Sequence, residues 1–477
     1  MSTDIVYSVS PNVATDISGV PSVILKSGVD NVQRIIFNNN NGQDISSLNF
    51  NIIPSGGGNS ILDPRIWFNM PVQFILGKAT NWTGIAEAFP ANRSGFAQLP
   101  IGKAMTQLSI NINGQSMERQ PNKYLHALST YVSVDDPEFQ SEFSTPDLLD
   151  QIARYGTVDL DGCPGNSVSD YPYAGKYGSR RPYSFTWYYC DANGIGSSTT
   201  TPTQYIRILM NIRMTLPLSL FTNTGDKRGI SQISTMTINA TLDPSLYPEM
   251  LSLHKDVPVT SITAMATGIP TCQTLWYLPQ DFVLDAAKDK DGKFKKVVHP
   301  FISIPACYDS NQVELAAVTS TTSASPPSIG LTRVPSKIYV FAFKDLSGLS
   351  AIQKAREGTT FGRITGLTLN YNGVNNHLAN YGQYELWKMS AKNGFIHDYG
   401  TAENHTGMVV CIDLSKDVSL KKLFVGEASA NSNLQVSASI GRPLVSDAAS
   451  THNKWKLRVV PVYDQILTFD NGVTTLT

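Results

Sequence analysis
The chain has 477 residues, 16% of them charged, with 37 Lys and Arg against 38 Asp and Glu for a net charge of −1. Nothing in that balance predicts a nucleic-acid partner, because phosphate binding depends on clustered cationic charge, while a charged fraction below the ~25% usual in soluble chains suits large self-associating faces. The length accommodates two or three ordinary domains, or two large β domains, no apolar run approaches the ~20 residues of a membrane-spanning helix, and Cys163, Cys190, Cys272, Cys307 and Cys411, scattered without a CxxC pair, give neither a zinc site nor a disulfide framework.

Residues 1–30 have no basic region followed by an apolar core. They read as an N-terminal arm without a secretory signal. The sequons at Asn81, Asn92, Asn239 and Asn404 are then accidents of an Asn- and Thr-rich composition. RIIFN (34–38), NNNNGQD and SLNFNIIP (47–54) predict two strands around an Asn-Gly turn. SGGGNS (55–60) lacks the Lys and Ser/Thr of a phosphate loop and opens no helix, so a flexible turn is expected.

RIWFNMPVQFIL (65–76) is strongly β-prone. LSINING (108–114) follows, with Leu108, Ile110 and Ile112 at the two-residue period of a half-buried strand and an Asn-Gly turn signal at its end. PNKYLHALSTY (121–131) has helical spacing; His126 within it is expected as a satisfied core or interface residue. Residues 133–203 form a long insertion rich in Tyr, Gly, Ser, Asp and Pro, including YPYAGKYGSRRPYSFTWYYCDANG (171–194). Tyrosine-dense loops suit packed interfaces, or packing on their own domain. IRILMNIRMTLPLSLF (206–221) and MTINATL (236–242) return to β patterning.

Residues 260–278 bridge to the second half without a Gly/Ser linker, so direct packing of two units is expected. DAAKDKDGKFKK (285–296) faintly echoes a calcium loop at Asp289, Asp291 and Gly292, but the remaining ligands and flanking helices are missing; a charged hairpin turn is the reading. TSTTSASPPS (319–328) is low in complexity. Then the first half recurs: KIYVFAF (337–343), LTLNYNG (367–373), NYGQYELWKMS (380–390), MVVCIDLSKDVSLKKLF (408–424) and LQVSASI (434–440), with KWKLRVVPVYDQILTF (454–469) closing the chain. LSINING and LTLNYNG match residue by residue at one constant offset. Four kinds of segment recur in the same order, which predicts a duplicated all-β unit.

Sites for chemistry are not visible. The seven histidines, His126, His254, His299, His377, His397, His405 and His452, have no HExxH, HxH or HxxxH spacing, and no GxSxG elbow occurs. Asp135 with Asp136 and Asp159 with Asp161 lie in turn-like surroundings. No catalytic, cofactor-binding or metal residue is assigned, no cofactor is expected, and the chain reads as a non-enzyme.

The segment entered through ILDPRIWFNMPVQF (61–74), LSINING with its helix, RMTLPLSLF (213–221) and ISTMTINATL (233–242) together resemble the double jelly-roll major capsid proteins of the tectivirus, adenovirus and Polinton/virophage lineage. The second half departs by lacking the Leu-Pro-Leu of 216–218. The resemblance implies an all-β fold of two tandem eight-stranded jelly rolls (β-sandwiches) with short helices and long surface loops. It implies an arm over 1–30, a first jelly roll over 31–258 with a tower-like loop at 133–203, and a second over 259–477 with a loop excursion at 281–330. It further implies a homotrimeric, self-assembling, pseudo-hexameric capsomer of an icosahedral virion. Expected partners are neighbouring capsomers, penton and minor capsid proteins, and an internal membrane. Lys26 stands alone against Asp4, Asp16 and Asp30 in the arm, so direct nucleic-acid binding is not expected. The competing expectation is a carbohydrate-binding or carbohydrate-active β-sandwich protein using the aromatic loop at 171–189.

Overall fold
A computed structural model describes residues 5–8, 22–25, 29–54, 60–63, 66–88, 95–96, 100–131, 185–215, 229–253, 257–279, 290–293, 296–357, 361–371, 374–418, 428–444, 452–470 and 473–476. Alternating apolar residues build its first half. The strands are β1 (Val29–Asn38), β2 (Ser47–Ile52), β3 (Trp67–Gly77), β4 (Met105–Ile112), β5 (Gln115–Arg119), β6 (Phe185–Cys190), β7 (Tyr205–Thr215), β8 (Met236–Leu242), β9 (Ser261–Ala266) and β10 (Thr271–Pro279). One sheet runs β6-β7-β3-β10-β1, with β9 also on β3, and the other runs β2-β8-β4-β5. Phe50, Ile110 and Ile238 from the second sheet meet Phe68, Val72, Ile208 and Trp276 from the first in one core. Phe50 and Phe68 stand 5.4 Å apart across it. Two sheets packed face to face in this way exclude water from a single apolar layer.

The second half repeats the order. Its strands are β11 (Val297–Ser303), β12 (Thr321–Ala324), β13 (Ile329–Arg333), β14 (Lys337–Lys344), β15 (Arg363–Tyr371), β16 (Val374–His377), β17 (Val409–Asp413), β18 (Ala428–Gly441) and β19 (Lys454–Asp470). They form sheets β11-β19-β14-β17 and β12-β18-β15-β16, with β13 also on β18. Strand for strand these match β1-β10-β3-β7 and β2-β8-β4-β5 in the first half. LSINING and LTLNYNG therefore occupy equivalent strands, β4 and β15. This is the tandem jelly-roll architecture.

Three sequence-based expectations change. Hydrogen bonding keeps residues 261–279 in the first unit, past the boundary at 258: β9 pairs with β3, and β10 pairs with β1. The low-complexity stretch inside the expected excursion at 281–330 supplies β12, whose Thr321, Thr322 and Ser323 pair with Gly441, Ile440 and Ser439 of β18. The final part of the tyrosine-rich insertion is not loop but strand β6, paired to β7 from Phe185 to Cys190. Residues 132–184, 216–228, 280–289 and 372–373 lie outside the described residues, and with them most of the expected tower and the second Asn-Gly turn. Within the expected arm, Ile5–Ser8 pairs with Ser22–Leu25, and β1 begins at Val29.

The β4–β5 turn is what its sequence predicts. Asn113 has φ +50° and Gly114 φ +86°, the primed geometry that twists with the strands. The Asn113 side chain also accepts from the Ser234 backbone N–H at 2.7 Å and donates to Thr474 Oγ1 in the other unit at 3.0 Å. A Cβ at Gly114 would touch nothing, so substitution there tests backbone strain alone. Gly114→Val is expected to cost about 1–3 kcal/mol, read as a lower urea midpoint with unchanged slope.

Candidate assembly interface
The β5 strand ends at Arg119, and Pro121 starts the helix α1 (Pro121–Leu128) at a position where a missing N–H costs nothing. A short turn, Ser129–Tyr131, continues it. This segment belongs to the first unit by sequence and rests on β4, yet it covers the outer face of the second unit's β11-β19-β14-β17 sheet. His126 stacks on Phe361 at 5.2 Å and 9° and meets Phe341 edge-on at 6.0 Å. Tyr131 packs edge-on to Tyr339 at 5.0 Å, and its hydroxyl donates to the Val409 carbonyl at 2.6 Å. The Ile396 N–H donates to the Thr130 carbonyl at 3.0 Å.

Arg458 on β19 fixes the centre. Its Nε and Nη2 donate to Asp309 at 2.6 and 2.7 Å, its Nη1 donates to the Lys123 carbonyl in α1 at 2.8 Å, and its guanidinium lies 4.1 Å from the Phe343 ring centre. A bidentate fork on a carboxylate leaves one direction for the remaining donor, so the helix is held in register as well as attracted. Arg119 reciprocates from the first unit, donating to the Ile302 carbonyl above the Phe301 ring.

A second grip joins the two units through another helix. Helix α2 (Ala351–Arg356) has a Ser350 capping box. Lys354 Nζ donates to Ser245 O at 2.9 Å, Arg356 Nη2 to Val257 O at 2.7 Å, and the Leu253 N–H to Ala355 O at 2.9 Å, all across the two units. The buried Lys344–Glu357 pair, 2.6 Å apart, ties β14 to the end of α2.

Among the described residues no group of three or more His, Cys, Asp or Glu side chains is placed to hold a metal ion. Of the aromatic loop at 171–189 expected to serve a carbohydrate, residues 171–184 lie outside the described residues and the rest is committed to the sheet: Tyr189 is buried, Trp187 packs against the core, and Tyr188 carries the Arg207 guanidinium at 5.2 Å. His126 sits at the joint, as its helical apolar context implied. Tyr131, Phe341 and Arg458 were not singled out from the sequence. The available signal was the unbroken apolar run in KIYVFAF, VVCID and RVVPV, which marks a sheet covered on both faces rather than one.

Residues 306–464 match the family model "Major capsid protein V20 C-terminal domain". Over 444 residues, 88% of this chain and 71% of the relative, the sequence is 22% identical to the putative capsid protein V20 of the Sputnik virophage. A chain of the Sputnik virophage particle solved by cryo-EM superposes with a TM-score of 0.72 at 17% identity, covering 99% of this chain and 93% of that one. The mavirus major capsid protein superposes at 0.67 with 14% identity, covering 100% and 96%. The chain has the double jelly-roll fold, and its residues 306–464 carry the match to a major capsid protein family. The solved structures carry the fold; the family match and the curated relative carry the assignment to capsids, and with it the location in the virion.

In this capsid chain, two imidazoles lie in or beside the joint. Burial, with the Lys103 and Arg458 cations, pushes His126 down to about 3, and burial alone pushes His397 to about 3. His397 packs against Phe395, which in turn touches Tyr131. Both are neutral when folded, whereas an unfolded imidazole titrates near pH ~6.5. Between those values the unfolded chain binds protons that the folded chain refuses, so these groups lower stability as pH falls from about 6.5 toward 3. For Asp345 and Asp413 burial works upward, but hydrogen bonds from Ser347 with Lys456 and from Ser415 with Lys416 outweigh it, so their contribution is lost only at lower pH. Burial raises Glu249 and Asp464, which act in the opposite sense.

The double variant His126→Phe, His397→Phe is therefore expected to lose less stability than the parent between about pH 7 and pH 5, measured as urea midpoints in matched buffers; parallel curves would remove the histidines as the cause. Arg458→Met strands Asp309 and the Lys123 carbonyl. Because Asp309 is about one-third exposed (31%), the expected loss is about 2 kcal/mol rather than the 3–5 of a fully buried pair. Arg458→Lys is expected to recover less than half of it, since an ammonium cannot make the bidentate contact.

Proposed function
We propose that three copies of this capsid chain close into a pseudo-hexagonal capsomer that tiles the faces of an icosahedral shell. The observation that carries this is the pair of jelly rolls with one strand order, held side by side by a polar-locked apolar joint. Three chains with two similar units each present six similar corners. The chain acts through its surfaces and performs no covalent chemistry. Neighbouring capsomers, penton and minor capsid proteins, and an internal membrane are the further contacts that such a tile would make.

Two jelly rolls locked in one orientation give the tile a fixed corner-to-corner step. A hinged pair would leave the ring size undetermined, because small changes of angle decide whether a head-to-tail series closes. Light scattering after size exclusion is expected to give a particle of three times the 52.0 kDa chain mass, with a hexagonal outline in negative stain. A monomer at every salt and protein concentration would overturn the reading.

A further inference from the structure
The joint inside the chain is a helix of one unit seated on the outer sheet face of the next. Each unit has such a helix and such a face, so one helix and one face remain. The remaining helix is α3 (Gln383–Lys392), which packs on its own β15 and β17. The face it turns to its own unit is buried as that of α1 is. Leu386, Met389 and Ser390 are buried where Tyr124, Ala127 and Leu128 are buried. Asn122, Lys123 and His126 are half-buried in the joint, and the matching Tyr384, Glu385 and Lys388 are exposed; Leu125 is buried and Trp387 only half-buried. The outward side of α3 is thus the α1 contact surface with its partner missing. It carries an aromatic cluster, Tyr384 with Trp387 at 5.6 Å and Tyr399 at 5.3 Å, beside Tyr381, and both Tyr384 (50%) and Tyr381 (40%) are exposed.

The remaining face is the outer side of the first unit's β6-β7-β3-β10-β1 sheet. Its matching face in the second unit is covered by α1, whereas among the described residues this one is covered by the turn at Gly194 over Gln73 and Ile75 and is open around Pro71, Leu209 and Met265. Val32 (53%), Ile36 (59%), Met265 (41%) and Ile269 (43%) are exposed apolar residues on or beside it. Pro71 on β3 and Leu209 on β7 are half-buried beside Met265, and Arg34 is exposed on β1. Exposed apolar residues grouped on one face, with arginine among them, have the composition of a protein contact.

We propose that α3 of one copy seats, through Tyr384, Glu385, Trp387 and Lys388, on the first-unit sheet face of a second copy, around Pro71, Leu209 and Met265, repeating between chains the joint that α1 makes within one. This rests on the capsomer reading and names the surfaces that build it. The contact is head-to-tail: each chain contributes one helix and receives one, so the series ends only when a ring closes. Glu385 on the helix faces a surface that bears Arg34 and Arg207, which favours this orientation in the encounter.

The test uses the full chain. Tyr384→Lys with Glu385→Lys spoils the helix surface by setting cations against the arginines of the sheet face, and Met265→Glu spoils the sheet surface; all three positions are exposed, so the fold should be retained, checked by circular dichroism and thermal unfolding. Each variant alone should fall from three chain masses to one in light scattering, with association weakened at least tenfold. Mixed together, the helix variant still offers a sound face and the sheet variant a sound helix, so the mixture should give a heterodimer of twice 52.0 kDa and no ring. Folded variants that remain trimeric would overturn this assignment and leave the capsomer reading intact. A parent that never leaves the monomer would overturn the capsomer reading itself. Should a variant fold poorly, hydrogen exchange on the parent decides: segments 381–392 and 261–279 must exchange more slowly in the trimer than after dilution to monomer. Equal rates, including protection that persists in the monomer because another segment of the same chain covers the face, would overturn the proposal.

Discussion
The second unit's β11-β19-β14-β17 sheet is apolar on both faces, and the rest of the molecule is arranged to keep both dry. Its inner face, through Ile338, Val340, Ile412 and Leu457, meets its own second sheet. Its outer face, through Tyr339, Phe341, Val409, Cys411, Val460 and Val462, joins the first unit's core. Burying side chains of this size is worth about 1.5–3 kcal/mol each. The six outer residues together therefore represent on the order of 10 kcal/mol, an upper estimate because unfolded chains are already partly compact. That is comparable to the whole stability of an ordinary domain. The second unit alone would expose this face, so the two units behave as one folded body.

Apolar area decides that the units stay together, but not where α1 sits. A flat apolar sheet would accept a helix in several registers with little difference in energy. The polar contacts remove that freedom. Arg458 must meet Asp309 and the Lys123 carbonyl at once, the Tyr131 hydroxyl must reach the Val409 carbonyl, and the Thr130 carbonyl must meet the Ile396 amide. Each contributes only about 1–3 kcal/mol, yet a displaced helix would leave several of them buried and unmatched together. The stacked His126 fits the same logic, since a flat neutral ring fills the space between Phe361 and Phe341 without bringing charge into it.

Much of the fold was legible because it is written in short-range pattern. Alternation in LSINING and MTINATL identified half-buried strands, Asn113-Gly114 identified the hairpin, and the recurrence of segments in order identified the duplication. What was misplaced depends on partners distant in sequence. Residues 261–279 look like a bridge between halves, because nothing local says that β10 will pair with β1, more than two hundred residues earlier. Thr321–Ala324 look like low complexity, because Thr and Ser are acceptable on the open face of a sheet as well as in a loop. The joint was least legible. A non-alternating run such as KIYVFAF says that both faces are covered, but not that the cover comes from a helix in the other half of the chain.

The two equivalent sheet faces have diverged in a way that follows from when each is covered. The second unit's outer face is covered as the chain folds and never meets water in the finished subunit. It can be as apolar as a core, as obligate interfaces are. The first unit's outer face must remain soluble on a free subunit, and its apolar Val32, Ile36 and Met265 are accordingly interspersed with Arg34, Arg207 and Asn211. If both faces were of the first kind, free subunits would aggregate through unguided apolar contact. If both were of the second kind, the two units of one chain would lack the area that fixes their angle. One face of each kind gives a subunit whose internal step is set before assembly begins. In the proposed capsomer, the weaker external step then has only to reproduce that angle for a ring to close.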